Sequence, residues 1–243
     1  MSIYHILKVS KLEKRINKYL SESGYCSRRE ADRLIEQNRV KINDQLALIG
    51  SKVSMNDIIT VDGKVITQQN EFVYLAFNKP VGIVSTTDQS IKGNMIDFLG
   101  YPERIFHVGR LDKDSEGLIL MTNDGDIVNQ ILRAENNHEK EYIVEVNKKI
   151  TSDFLNKMCR GVPILNTVTK PCTVKKLTDK TFSIILTEGL NRQIRRMCDY
   201  FGYQVVSLKR IRIMHIHLDV PVGKYRELTK KELSVLFDAI NIK

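Results

Sequence analysis

The stretch at residues 106–125, FHVGRLDKDSEGLILMTNDG, decides how the rest of the chain is interpreted. Two acids, Asp112 and Asp114, stand among basic residues between a glycine turn and an apolar run. The run at residues 118–121 has the length and bulk of a buried strand, and the NDG triplet after it is typical of a turn. Proteins commonly place chemistry on loops that a rigid strand holds. We therefore expect a functional site at this loop.

The composition bounds the class of protein. A chain of 243 residues holds one large domain, or an ordinary domain with a small companion. Its formal net charge of +9 favours a polyanionic partner without establishing one. A hydrophobic content of 42% argues against disorder, and no apolar run approaches the ~20 residues of a membrane span. The first residues lack the apolar stretch of a signal peptide, and nothing indicates an oligomer, so a cytoplasmic monomer is the default expectation.

The four cysteines, Cys26, Cys159, Cys172 and Cys198, are scattered without metal-ligand spacing. They are interpreted as reduced thiols of a cytoplasmic protein.

Residues 11–68 are interpreted as a small basic domain. Apolar residues recur every fourth position, so residues 11–23 are predicted to be an amphipathic helix that ends at Gly24. Ser27 and Glu30 have the spacing of a capping box, which predicts the start of a second helix. Short strands are predicted at residues 40–42 and 58–61.

The charges of this small domain are unevenly distributed. Residues 8–41 hold ten Lys or Arg against five Asp or Glu. Arg28 and Arg29 fall in the first turn of the second helix, where cations oppose the helix dipole by ~0.3–1 kcal/mol each. A bound phosphate backbone would satisfy both arginines and the free amides of the helix start. A solvated basic face is the alternative interpretation.

Residues 72–243, which follow a polar linker at residues 67–70, are interpreted as the larger domain. Predicted strands outnumber predicted helices and many connections are short, which favours an α+β fold with a mostly antiparallel sheet. Strands are predicted at residues 72–77, 118–121, 141–146, 182–186 and 205–217. Helices are predicted at residues 126–132, at residues 192–201 with Asn191 as the cap, and after a capping box formed by Thr229 and Glu232.

A second concentration of charge lies at the start of the predicted helix at residues 192–201. Arg192, Arg195 and Arg196 crowd its first turns, again against the helix dipole. Their i, i+3, i+4 spacing places them on neighbouring faces, where they are able to clamp anionic groups together. A solvent-facing basic helix is the alternative interpretation.

The motifs restrict the chemistry. The sequence has no GxxxxGK[ST] loop, GxGxxG, HExxH or paired CxxC, so nucleotide and zinc sites lack support. The acids near Asp112 match a calcium loop only in outline, and a magnesium nuclease requires acids that are not interleaved with Arg110 and Lys113. A carboxylate that acts without metal, as base or nucleophile beside a guanidinium, fits the residues. Such a partner would keep the acid ionised at neutral pH. Asp112 as a plain surface turn acid stays open at this point.

The stretch at residues 15–44, RINKYLSESGYCSRREADRLIEQNRVKIND, closely resembles the S4 RNA-binding module in both helices and the turn between them. The resemblance implies that Arg28, Arg29 and Arg33 face structured RNA. S4 modules occur on many RNA enzymes and on ribosomal proteins, so the resemblance identifies the class of partner and leaves the activity open.

Five further segments, in the same order along the chain, resemble the RsuA/RluB/RluE/RluF branch of pseudouridine synthases. They read NKPVGIVSTTD, HVGRLDKDSEGLILMTNDG, KEYIVEV, GVPIL and GLNRQIRRMCDYFGYQV. With the S4 module included, the resemblance covers residues 11–237. Ser115, where many relatives have Thr, and the last of these segments are similar to the RluF type, which acts on a uridine of 23S ribosomal RNA.

The resemblance implies roles for individual residues. Asp112 matches the essential aspartate that attacks or deprotonates the target nucleoside. Tyr142 matches the tyrosine that packs on the target base, and Arg195 matches the arginine that ion-pairs the aspartate. Leu208 is the expected apolar residue that lines this pocket. The alternative for Tyr142 is an ordinary strand tyrosine, and the alternative for Leu208 is core packing. The expected substrate-binding residues are Arg110, Leu208, Arg192, Arg196 and Lys79.

The reaction that the resemblance implies is the isomerisation of a uridine. The C–N glycosidic bond breaks, the uracil rotates, and a C–C bond forms through carbon five. No cofactor and no metal are expected. The uridine must leave its stack at a cost of a few kcal/mol, and basic contacts to phosphates are expected to supply this, so binding should be sensitive to salt. The expected partner is large-subunit ribosomal RNA, with tRNA as a possible second substrate.

Two other functions are alternatives to the enzyme. A non-catalytic RNA-binding assembly factor would keep the fold and lack the activity, and the intact set of Asp112, Tyr142 and Arg195 argues against it. A metal-dependent RNA nuclease predicts strand cleavage that EDTA abolishes.

Overall fold

The computed structural model describes residues 13–68 and 71–240. The chain divides into two compact units between Phe72 and Val73. Parts of two predicted features, the start of the first helix at residues 11–12 and the end of the linker at residues 69–70, lie outside the described residues. Over the described ranges, the helices are all too short or too polar to cross a membrane.

The first unit contains, within residues 13–68, two helices and six short strands. The helices are α1 (Ile16–Glu22) and α2 (Arg28–Glu36). The strands are β1 (Lys14–Arg15), β2 (Val40–Ile42), β3 (Gln45–Leu46), β4 (Lys52–Val53), β5 (Ile59–Val61) and β6 (Lys64–Val65). An antiparallel sheet has the order β3-β2-β5-β6, and β1 pairs with β4. The apolar side chains of both helices, among them Ile16, Leu20 and Leu34, join Val40 and Val61 in one core.

The predicted first helix is wrong at its start. It begins at Ile16, because Lys14 and Arg15 pair with β4 as a short strand. The Ser27 cap is confirmed, since its hydroxyl accepts from the amide of Glu30. The reverse half of that capping box is not formed, because the Glu30 carboxylate accepts from the Arg33 guanidinium at 3.1 Å instead.

The second unit begins at Val73 and contains the helices and strands that carry the aspartate loop. Its helices are α3 (Met95–Leu99), α4 (Gly125–Leu132), α5 (Ser152–Cys159), α6 (Gln193–Tyr200) and α7 (Lys230–Ala239), with a 3-10 turn at Ala134–Asn136. Its strands are β7 (Tyr74–Lys79), β8 (Phe106–Val108), β9 (Glu116–Thr122), β10 (Lys140–Val146), β11 (Pro163–Ile164), β12 (Thr167–Val168), β13 (Thr173–Lys176), β14 (Thr181–Leu186), β15 (Val205–Ile213), β16 (Ile216–His217) and β17 (Tyr225–Glu227).

One long sheet with the order β13-β14-β10-β15-β9-β7-β17 organises this unit, and β8 and β16 pair at its side. β9 and β15 run parallel, whereas the other strand pairs of the sheet are antiparallel. The predicted α+β fold with a mostly antiparallel sheet is therefore confirmed. The parallel pair lies at the centre and brings the start of β9 beside β15, where the predicted site residues come together.

The continuous apolar run of β9 is explained by burial on both faces. Leu118 and Leu120 pack with residues of α4 and α7 on one face. Ile119 and Met121 pack with Met95 and its neighbours on the other. A strand covered on both faces gains from an apolar residue at each position, so its sequence does not alternate.

Two predicted helix starts have different outcomes. The capping box of α7 is confirmed, because Thr229 and Glu232 exchange both of its hydrogen bonds. Asn191 is not the cap of α6. That position belongs to Arg192, which has a left-handed backbone (φ 49°, ψ 35°) and makes no side-chain capping bond.

Candidate active site

Asp112 lies on the loop that connects β8 to β9. Its carboxylate is 31% exposed, so it is accessible while much of its surface is covered. The amide of Ser115 donates to the Asp112 carbonyl at 3.1 Å, which turns the chain back toward β9. The strand after this turn is buried on both faces, so it holds the loop at a fixed place on the sheet.

A second loop fixes the backbone of the aspartate loop. The Ser85 hydroxyl donates to the Leu111 carbonyl at 2.7 Å and accepts from the Leu111 amide at 3.2 Å. The amide of Gly82 donates to the Lys113 carbonyl at 2.7 Å. The residues immediately before and after Asp112 are thus both tied to the NKPVGIVS segment. Sequence reasoning did not assign a role to Ser85, because a serine in a loop carries no signal of a long-range backbone contact.

The guanidinium closest to Asp112 belongs to Arg192. Its Nη1 lies 3.5 Å from Asp112 Oδ2 and 3.2 Å from Asp114 Oδ1, and its Nη2 donates to Asp114 Oδ2 at 3.2 Å. The left-handed backbone of Arg192 sends its side chain across to this loop. The expectation that Arg195 ion-pairs Asp112 is therefore corrected, since Arg192 occupies that place.

Arg195 is buried and grips the loop one turn further on. Its Nη2 donates to the Asp114 carbonyl at 3.0 Å and to the Ser115 hydroxyl at 3.2 Å, and it lies 3.4 Å from Asp114 Oδ2. Its Nη1 donates to the Val205 carbonyl at 3.4 Å. The arginine from 80 positions downstream does reach the loop, and its carboxylate partner there is Asp114.

Asp114 binds the arginines that surround the aspartate loop. Burial raises the pKa of its carboxyl, but the hydrogen bond from Arg192 and the charge of Arg195 outweigh that effect, so the pKa is lowered overall. An ionised Asp114 binds both guanidinium groups and holds that of Arg192 beside Asp112.

The three arginines of α6 do not converge into one clamp. Arg196 folds back and donates to the Asn191 carbonyl at 3.0 Å and to the Asn191 side chain at 3.2 Å. Arg195 is directed inward, and only Arg192 presents a substantially exposed guanidinium. The three arginines have different environments, although they are close in sequence, because Arg192 stands before the first helical turn. Arg110, on the loop itself, is exposed.

Lys79 does not have the predicted position of a substrate-binding lysine. It is fully buried, and its ammonium donates to the carbonyls of Pro80 and Ile83, at 2.8 Å each. Burial lowers its pKa to about 8, although the charges of Asp114 and Asp112 act in the opposite direction. The side chain shapes the loop beneath the site and does not reach the surface.

A buried apolar cluster adjoins the loop. Tyr142 and Leu208 lie in it together with Leu111, the residue before Asp112. Tyr142 is on β10, opposite Arg210 of β15, and Leu208 is opposite Val144 in the same pair of strands. The aspartate loop therefore adjoins, through Leu111, the cluster that contains Tyr142 and Leu208.

Arg210 is a second residue that sequence reasoning missed. It is buried, and its Nε donates to the Leu118 carbonyl at 2.6 Å. Period-two alternation places it on the same side of the strand as Leu208, and a cation at an inward position was the signal that could have found it.

In the first unit, Arg28, Arg29 and Arg33 are all exposed along α2. Arg33 has Glu30 as a partner at 3.1 Å. Among the residues that the structure describes, no group of three His, Cys, Asp or Glu side chains has an arrangement suited to a metal ion. The four cysteines are free thiols.

Each of the two units matches a family of known proteins. The RNA pseudouridylate synthase family profile matches residues 73–200, and the S4 domain profile matches residues 14–59. The chain belongs to the RNA pseudouridylate synthase family, and it is an enzyme that forms pseudouridine in RNA.

The relatives place it with the RluF type. The dual-specificity RNA pseudouridine synthase RluF of Salmonella typhi is 56% identical over 229 residues, which cover 93% of this chain and 79% of that protein. RluF of Escherichia coli K12 is 55% identical with the same coverage. Ribosomal large subunit pseudouridine synthase B of Bacillus subtilis is 36% identical and covers 91% and 95% of the two chains.

Among solved structures, a crystal structure of a pseudouridylate synthase has a TM-score of 0.68 and 30% identity, with 91% of this chain and 99% of that one covered. The prediction that the chain belongs to the RsuA/RluB/RluE/RluF branch and contains an S4 module is confirmed.

Proposed function

We propose that this enzyme isomerises a uridine of large-subunit ribosomal RNA, with Asp112 as the catalytic carboxylate and no cofactor or metal. The observation that carries the proposal is the placement of Asp112. It is a partly exposed carboxylate on a loop that is tied down on both sides, 3.5 Å from a guanidinium and next to an apolar cluster that contains Tyr142. The name of the Bacillus subtilis relative, a ribosomal large subunit enzyme, supports the class of RNA.

The chemistry suits an ionised carboxylate. The Arg192 guanidinium supplies a positive charge 3.5 Å from Asp112, and Asp114 pairs with both Arg192 and Arg195. Asp112 acts on the target nucleoside as nucleophile or as base, the bond from C1′ to N1 breaks, and the uracil is rejoined through C5. The proton on C5 is released and N1 gains one, so the reaction is balanced without an external reagent.

The site is built to receive a base that has left its stack. We assign the lining of the base pocket to Tyr142 and Leu208, an aromatic and an aliphatic side chain in the same cluster as Leu111, the residue before Asp112. Arg192, which lies 3.5 Å from Asp112, and Arg110, two residues before it, are both exposed, and we assign to them contacts with the phosphates that flank the uridine. Arg196 adds charge to the same helix start.

The experiment is a tritium-release assay on RNA transcribed with 5-tritiated uridine. The purified full chain is expected to release tritium from 23S ribosomal RNA in the presence of EDTA, up to the equivalent of one or a few uridines. Carbodiimide mapping of the product then identifies the position. Release from 16S RNA only would overturn the proposal that the substrate is large-subunit ribosomal RNA. Strand cleavage that stops in EDTA would point to a nuclease instead.

We also propose that the enzyme has a second RNA substrate, because the names of the RluF relatives include dual specificity. Bulk tRNA is the candidate, and it is tested in the same assay. Because ribosomal RNA and tRNA are the proposed substrates, we also propose that the enzyme is cytoplasmic.

We also propose that the exposed arginines of α2, Arg28, Arg29 and Arg33, contact RNA phosphates. Changing all three to Gln is expected to weaken RNA binding and to reduce the slope of log K against log salt by about 2 to 3, since each lost phosphate contact removes roughly one unit. The matched control changes three exposed lysines of the second unit, Lys149, Lys157 and Lys176, to Gln. Equal salt slopes in the two variants would contradict the assignment.

A further inference from the structure

Arg210 is a buried cation for which the described residues provide no acidic partner. It is 3% exposed, in the middle of β15. Its Nε donates to the Leu118 carbonyl at 2.6 Å and its Nη1 to the Arg110 carbonyl at 3.5 Å. Its Nη2 is buried and has no hydrogen-bond partner among the described residues. The hydrogen-bonding partners of this guanidinium are therefore neutral carbonyl groups.

Such an arrangement is poorly explained by stability. Removing a guanidinium from water is costly, and only well-placed counter-charges repay the cost. Two other buried cations, Lys79 and Lys140, are close enough that the charge of Arg210 contributes to lowering the pKa of each, after the larger effect of burial. Nη2 adds the cost of an unsatisfied buried donor. A residue selected for folding alone would be apolar at this position.

The contacts of Arg210 join the two ends of the aspartate loop. Arg110 stands two residues before Asp112, and Leu118 is the third residue of β9, after the loop has ended. One guanidinium binds the carbonyl of each. The same guanidinium lies over the ring of Tyr142, 6.0 Å from its centroid, and Tyr142 is on the neighbouring strand β10. Arg210 thus contacts both ends of the loop and lies beside the tyrosine.

We propose that Arg210 is a positioning residue, which fixes the distance between the Asp112 carboxylate and the Tyr142 ring. This rests on the proposed function, because it assigns the two groups that Arg210 positions. Productive attack requires reacting groups to be held within a fraction of an ångström, and a displacement of about 1 Å costs roughly 10²-fold in rate. This positioning role explains why a charged side chain is buried at residue 210.

The test compares two arginines of the same strand. Arg210→Met removes the donors and keeps an unbranched side chain of similar length. It is expected to unfold at the same temperature as the wild type or a higher one, to bind RNA with unchanged Kd, and to lose roughly 10²-fold in kcat with little change in KM. Arg210→Lys is expected to recover part of the rate, since its ammonium can bind one of the two carbonyls.

Arg212 is the matched control. It lies two residues further on in β15, and its guanidinium pairs with Glu139 at 2.9 Å and Glu141 at 2.8 Å. Arg212→Met is expected to show the reverse pattern, a lower unfolding temperature with normal kcat for the folded protein.

The possible results distinguish a positioning role of Arg210 from a structural or a binding role. If Arg210→Met unfolds as early as Arg212→Met and its folded fraction keeps the wild-type kcat, Arg210 has a structural role only. If KM rises and kcat does not change, it contributes to substrate binding and not to positioning. If the wild type itself releases no tritium from any RNA, the proposed function fails. An active wild type with a fully active Arg210→Met protein overturns this inference alone.

Discussion

Asp112→Asn protein is expected to fold and bind RNA as the wild type does, and to release no tritium above background. The amide has nearly the same shape as the carboxylate but is neither a nucleophile nor a base. A loss of at least ~10³-fold in single-turnover rate is the expected result, because removal of a covalent or general-base group usually has effects of that size. The carboxylate is partly exposed and pairs with Arg192 at the surface, so the change should cost less than ~1 kcal/mol of stability.

Two further aspartates make the experiment selective. Asp179→Asn alters an exposed turn acid that pairs with Lys149 and Lys176, and this variant should keep the wild-type rate. Asp114→Asn removes the bidentate partner of Arg192, while Arg195 keeps its bonds to the Asp114 carbonyl and the Ser115 hydroxyl. A loss of about 10-fold is expected for it, between the other two. If Asp112→Asn and Asp114→Asn lose activity equally, the assignment of the catalytic carboxylate to Asp112 cannot stand.

The sequence predicts the place of this aspartate well, for physical reasons. A run of apolar residues that does not alternate requires burial on both faces, and residues 116–122 do form such a strand. A glycine before the loop and a turn after the strand limit how the chain can enter and leave. The family resemblance then identifies Asp112 among the acids of the loop. The strand alternation of residues 141–146 likewise places Tyr142 inward.

The sequence does not predict which arginine meets which acid. Arg192 and Arg195 are one helical turn apart, and spacing alone gives them similar reach. The difference arises because Arg192 adopts φ 49° before the helix starts, which depends on the packing of the whole helix on the sheet. The sequence also does not predict that Lys79 is buried. A lysine that ends a strand is usually exposed, and this one is covered because the next residues fold over it and accept its hydrogen bonds.

Long-range contacts to main-chain atoms form the other group of features that the sequence hides. Ser85 binds both polar groups of Leu111, and Arg210 binds the carbonyls of Arg110 and Leu118. A carbonyl carries no residue identity, so no pattern of side chains reveals such a partner. These contacts nevertheless fix the loop that carries the proposed catalytic group, which is why the structure adds most at the residues around Asp112.

Gly117→Ala is the second substitution for which a large effect is expected, and this effect is on stability. Gly117 is the second residue of β9 and lies opposite Arg210 in the parallel pair with β15. Its φ of +112° is strained for any residue with a side chain, and a Cβ there would lie 2.3 Å from the Arg210 carbonyl oxygen and 2.6 Å from the Arg210 amide nitrogen. Both are backbone atoms of a central strand, so the clash cannot be relieved by a rotamer change.

The two central strands would have to separate at this point. A loss of roughly 3–5 kcal/mol in the free energy of unfolding is expected, as for other substitutions that combine backbone strain with overpacking. Gly100→Ala is the matched control, since Gly100 has φ +57° and nothing within 4 Å of its would-be Cβ. It carries the backbone strain without the clash and should lose only about 1–2 kcal/mol. Urea unfolding of both variants, followed by circular dichroism, provides the comparison.

The same separation should reach the proposed catalytic group. Moving β9 away from β15 withdraws the Leu118 carbonyl from the Arg210 guanidinium, which releases one end of the aspartate loop. Gly117→Ala protein that remains folded at low temperature is therefore expected to show the low kcat of Arg210→Met, whereas folded Gly100→Ala should be fully active. If Gly117→Ala is destabilised but turns over at the wild-type rate when folded, the pairing of β9 with β15 supports the fold and does not set the position of Asp112.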